Sequence, residues 1–308
     1  MRTRFSSWLA AVLASVGLAT AAHAQGKLDL TVFTGKGFNG YDVNSTIIEG
    51  EKELLLIDAQ FSLSWAHRLT AQLLEMKKPL TTIYITHPHP DHLFGLAVLK
   101  QAFPQARVLA IAPTAGAVAN AWPNRQKFWA PTYGNNIPGP EPVIPEALTT
   151  PTLNFEGHQF PITGPVGGSD GPGNSFVWIA PLKAVVTGDI VFDHAYFGVT
   201  KDKNREEWLK SVDQILALNP EIIVPGHEGP KATRNAKSIA WMKKYIADWE
   251  ANVAKSKDAA DMKKRLLKQY PGLGMDFTID QRIAQWIPAP APAGGAPAAA
   301  PAAGGAAR

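Results

Sequence analysis

Three histidines and an aspartate fall within six positions, His87, His89, Asp91 and His92, in the run Thr86-His87-Pro88-His89-Pro90-Asp91-His92. Each can offer a lone pair to a metal ion, imidazole through a ring nitrogen and carboxylate through an oxygen. The chain has no cysteine, so thiolate is excluded. Imidazole with carboxylate favours zinc, one or two ions per chain, with iron or manganese as the alternatives. His87 and His89 each precede a proline, which bars both from the helical region and holds them extended. Residues two apart in an extended chain point to the same side, so both rings can reach a single metal. Asp91 and His92 follow the second proline, where the chain turns, and point elsewhere, towards a second and adjacent metal. The competing reading is a histidine-rich surface turn, which leaves this clustering of donors without a purpose.

The elements around this run must position it. Residues 83–86 are a short apolar, β-branched stretch and read as a buried strand. Residues 93–103 carry apolar side chains at helical spacing, so a helix follows directly. The donors therefore sit at the C-terminal end of a strand, where open α/β sheets place their chemistry.

The run resembles the H-x-H-x-D-H signature of the metallo-β-lactamase superfamily. That resemblance implies an α/β (α+β layered) fold, a four-layer αββα sandwich, and metal-dependent hydrolysis with further ligands from later loops. It implies Asp189, after Gly188 at the end of a strand over 184–187, as the carboxylate bridging two metals. It implies His227, in Pro225-Gly226-His227-Glu228, as the last histidine ligand. Asp58 ends a strand over 53–57 and either orients a histidine ligand or caps the next helix; the resemblance leans to the first. His194 is either a substrate contact or an ordinary loop residue, and His158 reads as an exposed residue of a hairpin turn. The family places a third histidine of the first metal in the loop before a strand over 175–180. Here the loop 164–173 and the adjoining Asn174 hold none, and Gly168 or Asp170 stands at that position. Asp170 could complete a set with His87 and His89. Otherwise the first site is weak, and Asp91, His92, Asp189 and His227 hold one metal.

Such a centre lowers the pKa of bound water and polarises a carbonyl. Asp91 would orient the water and pass a proton to the leaving group. The expected substrate is a small acyl compound: an ester, lactone or amide. The family's lactamases typically lack the bridging aspartate, and many use a cysteine. Its lactonases carry a tyrosine where Phe192 stands, which weakens that assignment. The alternative is a mononuclear iron oxygenase or a degenerate member that only binds metal or ligand.

The chain has 308 residues, 45% hydrophobic and 18% charged, enough for one large domain with extensions. Residues 1–24 read as a secretory signal, with Arg2 and Arg4, an apolar stretch over 8–19, and Ala22-His23-Ala24 before the cleavage point. A periplasmic or secreted protein is expected, cut after Ala24. Removing that segment takes two arginines and no acid, so the net charge falls from +4 to +2. A nearly neutral chain gives no case for nucleic acid or, once the signal is gone, for a membrane as partner. The expected organisation is a sandwich domain over 25–231, a helical extension of it over 232–287, and a disordered alanine-proline-glycine tail over 288–308. Over 121–151 periodicity fails: Trp122, Phe128, Trp129 and Tyr133 are interleaved with seven prolines. This stretch is expected to be a long loop, either flanking the site with apolar contacts or packed on the sandwich edge.

Overall fold

In strands a side chain alternates faces at every residue, and here both faces are apolar. Leu54-Leu55-Leu56-Ile57 is buried throughout, the mark of a strand covered on both sides. The computed structural model describes residues 26–169, 171–200 and 202–288. The expected leader, Asp170 and the tail beyond Pro288 lie outside these residues.

The first half contains β1 (Asp29–Gly35), α1 (Gly37–Gly40), β2 (Val43–Glu49), β3 (Leu54–Ile57), α2 (Leu63–Glu75) and β4 (Leu80–Tyr84). Next come α3 (Pro90–Leu93), α4 (Leu96–Ala102), β5 (Arg107–Ala110), α5 (Ala112–Tyr133) and β6 (Glu146–Ala147). The second half begins with β7 (Thr152–Phe155), β8 (His158–Gly168), β9 (Gly171–Ile179), β10 (Ala184–Val186) and β11 (Phe192–Asp193). It continues with α6 (Asp202–Ala217), β12 (Ile222–Val224) and β13 (His227–Glu228). The helices α7 (Ala236–Lys255), α8 (Ala259–Gln269) and α9 (Ile279–Ala284) close the described chain. One sheet runs β11-β13-β2-β3-β4-β5-β6, with β1 paired to β2; the other runs β12-β10-β9-β8-β7.

Alternation sorts the core into two. Ile48, Leu55, Ile57, Tyr84 and Leu109 of the first sheet meet Phe160, Ile162, Val177, Ile179 and Val186 of the second. Their neighbours Ile47, Leu54, Leu56 and Ile83 join Leu69 and Leu73 of α2 and Leu99 of α4. On the far side Val185 and Ile223 join Trp208 and Val212 of α6 and Met242 and Trp249 of α7. The layers are helix, sheet, sheet, helix, with a helical C-terminal region. Within the sheets β3 runs parallel to β4, and β10 parallel to β12. The loops that leave these four strands gather at one edge of the sandwich.

Three expectations need correction. The stretch 121–151 is not one long loop, because α5 runs to Tyr133 with Pro123 and Pro131 inside it. An interior proline costs a helix about 3 kcal/mol, whereas burying one large aromatic contributes roughly 4–6 kcal/mol. Trp122 and Tyr133 are buried, Trp122 against Phe94 and Tyr133 against Phe61, so packing outweighs propensity. The loop 164–173 is instead largely a hairpin, with β8 extending to Gly168 and β9 starting at Gly171. His158 is not an exposed turn residue; it opens β8, is 2% exposed and bonds Gly26 O through Nε2 at 3.0 Å.

The helix expected over 93–103 is divided at Phe94 and Gly95 into α3 and α4. Gly95 N–H donates to Gln60 O at 3.0 Å, and a Cβ on Gly95 would lie 1.8 Å from Ala59 O. Only glycine lets the donor-bearing turn sit this close to the end of β3. Gly95→Ala is therefore expected to destabilise the fold by about 3 kcal/mol, the upper range for overpacking. Denaturant midpoints at unchanged slope would measure it, and a shift near zero would contradict the close approach.

Candidate metal centre

The site begins with Asp58, the residue after β3, held in the left-handed region at φ 64°. Its Oδ1 accepts from Thr86 N at 2.9 Å, and its Oδ2 from Thr86 Oγ1 at 2.8 Å. His92 Nδ1 lies 2.8 Å from the same Oδ2. Helix α2 is capped by Ser62, which accepts from Trp65 N. An ionised carboxylate only accepts, so His92 donates through Nδ1 and presents Nε2 to the cluster. The one hydroxyl proton of Thr86 goes to Asp58, which leaves Thr86 Oγ1 to accept from His87 Nδ1 at 3.0 Å. His227 Nδ1 donates to Tyr41 O at 2.8 Å. Three imidazoles thus have their Nδ1 protons committed outward and their Nε2 lone pairs aimed inward.

Two groups of donors result. His87, His89 and Asp189 form one and Asp91, His92 and His227 the other, with the donor atoms of each within 4.8 Å of one another. Asp189 lies between them: Oδ2 is 3.7 Å from His87 Nε2, and Oδ1 is 3.1 Å from His92 Nε2 and 3.3 Å from His227 Nε2. Asp91 Oδ2 is 3.1 Å from His227 Nε2. Glycines permit this crowding. Gly188 has φ 48°, and a Cβ on Gly226 would lie 2.2 Å from Asp189 Oδ1.

The electrostatics follow from burial. Burial holds His87 well below the usual imidazole range, and the positive charge of His92 adds to this. Burial also opposes charge on His92 and His227, but the surrounding carboxylates outweigh it. Asp58, Asp189 and Asp91 raise His92 well above its usual value, and Asp189 and Asp91 push His227 up to about 10. Burial would raise Asp91 and Asp189; the neighbouring histidines hold both below the ordinary carboxylate range instead. Protons on His92 and His227 therefore compete with a metal for the same Nε2 atoms. His87 Nε2 is buried without a hydrogen-bond partner among the described residues, 3.7 Å from Asp189 Oδ2. An orphaned polar atom is costly in an interior, and a cation bound beside it would satisfy it. The residues fit a metal.

Of the other expected residues, His194 stays outside both groups; its Nδ1 lies 2.6 Å from Asp193 Oδ1 and its ring stacks on Trp241. Asp170 is beyond the described residues. Thr86 and the carbonyl of Tyr41 were missed. A backbone acceptor leaves no trace in residue type, whereas a threonine one before the first histidine was a readable signal.

Asp58→Asn would keep an acceptor for Thr86 N but remove the charge that orients His92. Metal affinity is expected to fall about 10–100-fold, the usual cost of losing such a partner, with little change in the circular dichroism of the fold. Chelator competition measures this, and unchanged affinity would contradict the orienting hydrogen bond.

Comparison with known proteins places this geometry. The profile described as Metallo-beta-lactamase superfamily matches residues 39–227. A metallo-beta-lactamase type 2 of Bacillus sp. (strain 170) is 26% identical over 62% of this chain and 69% of its own length. A metallo-beta-lactamase family protein of Thermus thermophilus superposes with TM-score 0.58 at 18% identity, covering 82% of this chain and 90% of that one. A beta-lactamase domain protein of Burkholderia ambifaria gives TM-score 0.59 at 15% identity over 87% and 89%. With its fold, its strand-end donors and more than half of its length matching, the chain belongs to the metallo-β-lactamase superfamily.

Proposed function

We propose that this protein is an exported zinc hydrolase of small, neutral acyl substrates: an ester, lactone or amide. The observation that carries it is the two adjacent groups of inward-facing donors, with His87 Nε2 buried and unpartnered among the described residues. His87, His89 and Asp189, with Asp170 from the stretch between β8 and β9, would hold one ion. Asp91, His92 and His227, sharing Asp189, would hold the second. Zinc bound there lowers the pKa of water and polarises a carbonyl. Asp91 is the proton carrier in this reading. As a carboxylate beside the bound water, it would take a proton from the attacking water and return it to the leaving group.

Export rests on the tripartite N-terminus. Among the described residues no helix is long and apolar enough to cross a membrane. A small-molecule substrate is supported by the near-neutral charge after cleavage and by the aromatic face of α5, whose Trp122 packs on Phe94, two residues after His92.

Metal analysis tests the centre first. Two zinc ions per chain support the hydrolase, one iron the oxygenase alternative, and none a binding protein. Asp91→Asn should lose at least about 10²-fold in turnover on lactones and aryl esters while keeping its fold, and near-normal turnover would remove Asp91 from this role. Preference for a phosphodiester over the acyl panel would overturn the substrate class. Asp170→Ala should lose one metal per chain and keep the other; unchanged stoichiometry would make Asp170 a turn residue.

A further inference from the structure

Phe192 follows Asp189 by three residues and stands opposite His227 in the parallel pairing of β11 with β13. Residues paired across a ladder send their side chains to the same face. The Phe192 ring accordingly lies almost flat on the His227 imidazole, with centroids 5.3 Å apart and planes 10° from parallel. It is 1% exposed and packed on its other contacts. Phe197 stacks on it at 4.7 Å, and Trp208 of α6 meets both phenyl rings edge-on at 6.4 and 5.7 Å. Trp208 also holds the segment that carries Asp189, its indole N–H donating to Ile190 O at 2.7 Å. Phe197 rests on Tyr245 of α7 at 4.4 Å, and Phe192 N donates to Met242 Sδ of the same helix at 3.4 Å.

The two buried histidines of this donor group are held differently. His92 Nδ1 meets the Asp58 carboxylate at 2.8 Å, a charge-assisted bond about twice as strong as one to a neutral acceptor. His227 Nδ1 has only the neutral carbonyl of Tyr41, also at 2.8 Å. A carbonyl accepts over a broad range of directions, and the ring torsion of histidine is shallow. One corner held this way leaves the imidazole plane free to tilt. Tilting carries Nε2 away from Asp91 Oδ2 and Asp189 Oδ1, which it faces at 3.1 and 3.3 Å. A flat ring, itself wedged between α6 and α7, removes that freedom.

Resting on the two-metal reading of the donor groups, though not on hydrolysis, we infer that Phe192 is a positioning residue for His227. It sets the plane of the imidazole, and through it the affinity of the Asp91, His92 and His227 group for its ion. Phe192 offers no donor of its own and acts only through His227. By this contact the packing of α6 and α7 reaches the metal centre.

Phe192→Leu tests this, because it keeps an apolar side chain and removes the flat face. Phe192→Met, which fills more of the space, takes its place if the leucine variant does not fold. Phe197→Leu makes the same loss one ring further from His227 and separates positioning from stability. In chelator competition on the zinc-loaded chain, Phe192→Leu should weaken one of the two ions about tenfold, the low end for losing an orienting partner, and leave the other unchanged. Phe197→Leu should lower Tm comparably and leave both ions at wild-type affinity. No weakening in Phe192→Leu, or equal weakening in the two leucine variants, overturns the inference. A chain that takes up fewer than two zinc ions fails the two-metal reading alone. The inference is then read from the His227 Nδ1 proton, by NMR of histidine-labelled protein. That proton should be protected from exchange in the wild type and in Phe197→Leu, and exchange faster in Phe192→Leu. Equal exchange in all three chains, or an unprotected proton in the wild type, overturns it.

Discussion

The buried carboxylate of Asp58 is the interaction on which the rest depends. It spans the end of β3, the end of β4 and the turn into α3 with three hydrogen bonds, two to Thr86 and one to His92. A lone carboxylate at 2% exposure would be heavily penalised, so these donors are as necessary to Asp58 as it is to them. Through His92 directly, and through the Thr86 hydroxyl to His87, one charge sets the orientation of two imidazoles. Ser175 ties the second sheet to the same point, donating from Oγ to Thr86 O at 2.6 Å while its own N–H reaches that oxygen at 3.0 Å. The donor loop is thus fastened to both sheets before any ligand arrives.

That fastening explains how a charge-dense cluster survives inside a folded chain. Asp91 and Asp189 bring negative charge close to the Asp58 network, and mutual repulsion would open the site if nothing balanced it. Protons on His92 and His227 supply the balance in the metal-free chain, which is why those two rings titrate high while His87 stays neutral. A divalent cation does the same with more charge in the same place. The geometry of the cage is set from outside, by Asp58, Thr86 and the Tyr41 carbonyl.

What could be read in the sequence divides along the same line. The run from His87 to His92 was legible because strand, proline and turn fix its geometry locally. The unbroken apolar run from Leu54 to Ile57 was likewise legible as a strand. Asp189 and His227 carried no local signal beyond a strand end and a glycine; only the family resemblance connected them to a site far away in the chain. The Tyr41 carbonyl was illegible because a backbone acceptor has no residue type. Helix α5 was hidden by Pro123 and Pro131, whose local cost is visible while the burial of Trp122 and Tyr133 that offsets it is not. The hairpin of β8 and β9 was hidden by its glycines, which read equally well as a loop.

As a helix, α5 gives its aromatic side chains a fixed place beside the donor loop. A proline-rich loop would have offered Trp129 and Tyr133 on a deformable tether. On a helix these residues stand one turn apart, and both pack on Phe61. Phe61 in turn stacks on Phe94 at 5.8 Å, two residues beyond His92. The aromatic face and the donor loop therefore share one packed seam, and neither can shift without the other. An apolar group resting there meets a surface already in place, so little ordering entropy is lost on binding. The same aromatic packing that holds α5 against the sheet thus sets the shape of the surface beside the donor loop.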